Sequence, residues 1–174
     1  MGNLRIYLTG RPAIETGDGL FEDLSDRLTR LALAYLVMHR HRPVSLAEIA
    51  DAGWRTDRPA NWEKRVKGAL AMLESTLAMV NAPEIVLEQG HDLVRMHLPS
   101  NVWVDLEHAH RSLEEAGVAL IADDLDRALT MSTAASIIGN RPFLPAIDSV
   151  WVNSMRTRLE SAFIDGLILR TEVA

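Results

Sequence analysis

The histidines and carboxylates are the first candidates for chemistry. His39 and His41, and again His108 and His110, are spaced by two. On a helix that spacing sends the two rings to different faces, and no carboxylate completes a ligand set beside either pair. His91 and His97 flank a short strand-like segment and are not expected to be ligands. Glu114-Glu115 and Asp123-Asp124 are adjacent residues whose side chains diverge on a helix surface, so neither makes an acid–base couple. With no cysteine, the chain has no thiolate for metal, redox or disulfide chemistry. G-x-S-x-G, a P-loop, a glycine-rich dinucleotide fingerprint and H-E-x-x-H are all missing from it. No enzymatic activity, cofactor or metal is expected.

What remains is a cationic cluster. Between Arg55 and Lys67 stand Arg55, Arg58, Lys64, Arg65 and Lys67, against Asp57 and Glu63. Such a cluster is either a phosphate-binding footprint or the solvated start of a helix. The net charge of -6 disfavours a non-specific nucleic-acid binder. That acidity is uneven: residues 1–98 carry 12 Lys/Arg and 13 Asp/Glu, and residues 99–174 carry 6 and 11. The cluster therefore sits on an almost neutral half.

The elements that must position these residues follow from periodicity. Leu4 to Leu8 alternates as a strand, and Ala13-Ile14-Glu15 can pair with it. After a GDG turn, Leu24, Leu28, Leu31 and Tyr35 fall at helical spacing, with Ser25 as an N-cap, to about Met38. Ser45 and Glu48 form a capping box for a short helix ending near Gly53-Trp54. Asp57-Arg58-Pro59 is expected to open a third helix, buried along Trp62, Val66, Leu70, Leu73 and Leu77 and stopped by Asn81-Ala82-Pro83. Residues 84–88 and 93–97 read as a hairpin about Gln89 to Asp92. Beyond PSNVW at 99–103 no further strand is expected. Three helices follow: one capped by Asp105, one over about 123–138, and one over about 149–170 burying Trp151, Met155, Leu159, Phe163 and Leu167. Trp151 and Phe163 fit the core, and Trp103 is expected to pack between the two halves. With nothing to cap the last helix after Leu169, the chain reads as a piece of a longer protein. No run is long enough to span a membrane, so a cytoplasmic protein is expected.

In this order, Val44-Ser-Leu-Ala-Glu-Ile-Ala-Asp-Ala-Gly-Trp54, Pro59, the long third helix and the turn and strand from Glu88 to Arg95 resemble the OmpR/PhoB-type winged helix. Val104-Asp105, Asn140-Arg-Pro-Phe-Leu144, and Trp151 followed by Arg156 to Leu159 resemble the bacterial transcriptional activator domain. The chain is thus similar, over nearly its whole length, to the Streptomyces antibiotic regulatory protein family. The resemblance implies an α+β winged helix-turn-helix domain at 1–98 and an all-α helical-hairpin, TPR-like domain at 103–174. It also implies a DNA-binding transcriptional regulator whose helical domain contacts a second copy or RNA polymerase. Where the family carries polar or basic residues, this chain has Ala71, Met72, Glu74 and Ser75.

On that frame the expected contacts to double-stranded DNA are Asn61, Lys64, Arg65 and Lys67 on the third helix and Arg95 in the wing. Gly68 and Ala71 would allow close approach. Gln89 or His91 at the wing tip can meet phosphate or remain a plain polar turn, and Arg40 and Arg42 read as a solvated loop. The alternative is a divergent winged-helix module that no longer binds DNA and serves as a protein-interaction or oligomerisation unit.

Overall fold

The alternating first segment pairs as its pattern requires. In the computed structural model, which describes residues 4–22, 24, 26–54 and 56–173, strand β1 (Arg5–Tyr7) runs antiparallel to β2 (Ala13–Thr16) with Ile6 opposite Ile14. Both isoleucines are fully buried. Ser25 and Arg55 of the expectations above lie outside the described residues. The GDG turn closes onto a strand that was not anticipated, β3 (Gly19–Phe21), antiparallel to β2. Gly19 has φ +132°, a conformation open to it because it has no Cβ.

Helix α1 (Arg27–Met38) is capped by Asp26, whose carboxylate accepts from the Thr29 N–H at 2.7 Å and the Thr29 hydroxyl at 2.8 Å. A two-residue strand β4 (Val44–Ser45) leads into α2 (Leu46–Gly53), and the capping box forms as expected. Ser45 Oγ accepts the Glu48 N–H at 3.1 Å, while the Glu48 carboxylate accepts the Ser45 N–H at 2.8 Å. Helix α3 (Trp62–Met79) buries Val66, Leu70, Leu73 and Leu77 and half-buries Trp62. It starts later than Asp57-Arg58-Pro59 suggested. The Trp62 N–H closes a turn onto Pro59 O, and Arg58 is drawn onto α2, donating to Ala47 O at 2.9 Å and pairing with Asp51. Tertiary contact holds residues 56–60 outside the helix. Strands β5 (Val86–Gln89) and β6 (Leu93–His97) form the hairpin, and β4 joins β6 to give the order β4-β6-β5.

A strand also lies past the expected boundary. β7 (Trp103–Val104) runs parallel to β1, giving the order β3-β2-β1-β7. Two residues carry no readable periodicity, which is why the sequence does not announce it. Helices α4 (Asp105–Ile121), α5 (Leu125–Gly139) and α6 (Val150–Val173) follow. The small residues Ala109, Ser112 and Ala116 on α4, and Ala128, Ser132 and Ala135 on α5, are all buried. On α6, Met155 and Leu159 are buried and Trp151 and Phe163 half-buried, but Leu167 is exposed. Gly166, not Leu167, takes the next buried place, because α5 approaches there: a Cβ on Gly166 would sit 2.6 Å from Ser136 Oγ.

The two halves share one buried cluster, in which Leu106, Phe143, Ile147 and Val152 join Ile6, Leu8, Leu31 and Leu36. Asp105 fastens the seam. Fully buried, it accepts from the Leu8 and Thr9 N–H groups at 2.9–3.0 Å and from the Thr9 hydroxyl at 2.7 Å. Trp103 packs between Tyr7 and His108, with ring centroids at 5.2 and 5.3 Å. Trp151 meets Tyr35 and Phe143 edge-on. Arg40 forms a bidentate pair with Glu107 across the same seam. The described residues thus form a mixed α/β fold of six helices and two small sheets. None of these helices is long and apolar enough to cross a membrane.

Candidate nucleic-acid interface

The hairpin turn is tied to α2, the helix that packs against α3. The Leu46 N–H, at the start of α2, donates to Asp92 O in the hairpin turn at 3.0 Å, so the turn is fixed to α2. His91 is the smallest of the influences on the Glu63 pKa, lowering it, and Asp92 the smallest on that of Lys67, raising it. The exposed first two turns of α3 form the candidate face, with the hairpin tip within electrostatic range of its Glu63–Lys67 side.

On that face Asn61 is the N-cap of α3, exposed, with no capping bond from its side chain. The amide is free to meet a ligand. Lys64 is exposed and, among the described residues, has no hydrogen-bond or ion-pair partner. Arg65 lies over the Trp54 ring, 5.4 Å from its centroid, an arrangement that holds the guanidinium without neutralising it. Lys67 is different: its ammonium stands 2.6 Å from Glu63 Oε1. That hydrogen bond lowers the Glu63 pKa and raises that of Lys67. Arg58, stacked on Trp62 at 4.5 Å, is likewise paired, with Asp51. Two of the four described cations of the cluster are thus neutralised within the chain, and Lys64 and Arg65 are not.

Arg95 stands apart from the α3 residues. Half-buried on β6, it donates from Nε to Arg40 O and from Nη2 to His41 O, both at 3.4 Å. It braces the hairpin against the 39–43 loop. Arg40 and Arg42, expected as solvated loop residues, are paired with Glu107 and Glu48. His39 donates from Nδ1 to Tyr35 O at 2.8 Å and stacks on that ring. Sequence reasoning missed the tryptophans that orient the cations. Arg58 lies outside α3, and Trp54 and Arg65 are on different segments, so neither stack follows from helical spacing.

The remainder of the exposed α3 face carries no cation. Gly68, Ala71 and Ser75 line it, with Met72 at 54% exposure and Met79 at 70% on one flank and Glu74 on the other. The Ser75 hydroxyl is turned inward, donating to Ala71 O at 3.0 Å.

Fold and site together define a mixed α/β protein in which the front of a helix presents a partly cationic face. Among solved structures, the chain is similar to Mycobacterium tuberculosis EmbR, determined in complex with a low-affinity phosphopeptide, with a TM-score of 0.83 at 22% identity. The match covers 99% of this chain and 46% of that one, so the chain spans less than half of EmbR's length. At this identity the likeness is one of fold. No protein-family model and no curated protein matches the sequence.

Proposed function

We propose that the protein is a DNA-binding transcriptional regulator, a binding protein rather than an enzyme. In this reading residues 1–98 are a winged helix, with α3 as recognition helix and β5–β6 as wing. Residues 103–174 are a TPR-like activator-type domain that contacts a second copy or RNA polymerase. The observation that carries the reading is the exposed front of α3, where Lys64 and Arg65 are neutralised by no carboxylate of the described chain. Helix-turn-helix docking puts the N-terminal part of the recognition helix against DNA. The fold shared with EmbR supports the architecture. Phosphate contacts come from Lys64 and Arg65, and from Lys67 when phosphate displaces Glu63 from it, with a polar contact from Asn61 and Arg95 acting through the posture of the wing.

The test is binding of the full chain to random and genomic duplex fragments at low and moderate salt. With about three phosphate contacts, the log–log dependence of affinity on salt should have a slope of about −3. Lys64→Glu/Lys67→Glu should abolish binding at moderate salt. Absence of binding at low salt, or indifference to the double change, would sink the proposal.

A second reading, a protein-interaction module on the same scaffold, is favoured by one observation. The α3 face from Gly68 to Met79 is uncharged apart from Glu74, and Lys67 and Arg58 are already paired. If the DNA test fails, this reading replaces the first.

A further inference from the structure

We propose that α3 reads thymine. Ala71 and Met72 supply an apolar contact to the 5-methyl group of a thymine in the major groove, two helical turns beyond Lys64 on the same face. The inference rests on the DNA-binding reading above and assigns the part of the helix that reading leaves unexplained.

Helix geometry sets the surface. At about 100° per residue, Lys64, Gly68, Ala71 and Ser75 share one line opposite the buried stripe of Val66, Leu70, Leu73 and Leu77, with Met72 beside it. Ala71 follows Lys64 by two turns, about 10 Å along the helix axis. Glu74 lies on the Lys67 side of the line, away from Met72.

The fold does not account for the residue types on that line. A Cβ on Gly68 would meet nothing within 4 Å, so packing does not demand glycine there. Met72 is 54% exposed and contributes little to the core. Ser75 has committed its hydroxyl proton to Ala71 O. None of these side chains can make the bidentate hydrogen bonds that identify guanine or adenine. The thymine methyl is the one major-groove group identified by apolar contact, and small neighbours allow the backbone to come near enough for it. The occupant follows from charge: the unpaired Lys64 and Arg65 at the front of the same helix are complementary to phosphate.

The experiment begins with duplexes selected by the full chain from a random library at low salt. The best duplex is then rebuilt with each thymine in turn replaced by deoxyuridine, which removes the methyl group alone. One or two positions should weaken by about fourfold, the value of one buried methyl. Ala71→Gly/Met72→Ser should lose that discrimination while binding the deoxyuridine duplex as the wild type does. Met72→Ser alone, with an unchanged thermal melt, guards against loss of helix at Ala71→Gly. A selected duplex insensitive to every replacement would overturn the inference and leave DNA binding standing. Discrimination that survives in both variants would overturn the assignment to α3 and point to a protein partner for this patch. A library that yields no duplex would overturn the DNA-binding reading along with it.

Discussion

Asp105 shows how much one side chain carries here. Its carboxylate is the acceptor for two buried N–H groups and one hydroxyl of the β1 end, and Asp105→Ala leaves all three without a partner. An unsatisfied buried donor is costly, and the change should destabilise the protein by about 3 kcal/mol, measured by urea unfolding. Glu48 gives a pH signature. The Arg42 guanidinium is the largest influence on its carboxyl; burial opposes it, and the Ser45 N–H and hydroxyl add to the lowering, so that it stands at about 2 against 4.5 in an unfolded chain. A depressed folded pKa stabilises above the unfolded value, so this contribution is complete above about pH 4.5 and is lost as pH falls through about 2. Glu48→Gln should flatten that acid limb in melts taken between pH 2 and 6. The two residues differ in legibility for a physical reason. The Ser45–Glu48 box is written within four residues, whereas the donors to Asp105 lie 97 and 96 residues away and the sequence offered it only as a helix cap.

Elements were legible where one face meets the core over many turns. The stripe of α3 from Val66 to Leu77 is of that kind and is buried as its period requires. Its start was not legible, because Arg58 binds α2 and holds the preceding segment out of the helix. β3, β4 and β7, of three, two and two residues, are fixed by their neighbours and not by any pattern of their own. Helix α6 departs from its apparent stripe at Gly166, where Ser132 O and Ser136 Oγ occupy the space of a side chain. Gly166→Ala should therefore cost about 1–3 kcal/mol by overpacking, and Ser136→Ala should restore part of it by removing the nearer atom. Thermal melts of the single and double variants would show whether the loss is relieved.

For the molecule as a whole, the shared core matters more than the change of composition near residue 98. Because Leu106, Phe143, Ile147 and Val152 lie in the same cluster as Ile6 and Leu31, the intact chain should unfold in one transition. A truncation at residue 98 should broaden that transition and lower its midpoint, since it uncovers the side of β1 that β7 and Asp105 occupy. Two separate transitions, with the first half unaffected by truncation, would contradict this. Of the candidate interface, the cationic cluster and the missing back-half cations were legible as residue types. The pairing of Lys67 and Arg58, the bracing of Arg95 by the 39–43 loop and the stacking of Arg65 were not, because each depends on which chain segments fold against one another.

The parallel pairing of β1 with β7 also imposes an order in time. A strand built from residues 5–7 has to wait for residues 103 and 104 before its second edge is occupied. During synthesis from the N-terminus that edge stands open while nearly a hundred further residues are added, and closing so long a loop is a slow step. Until it closes, the sheet can accept a strand from another nascent chain. The last strand of the first sheet thus ends the interval in which this chain is most exposed to misassembly.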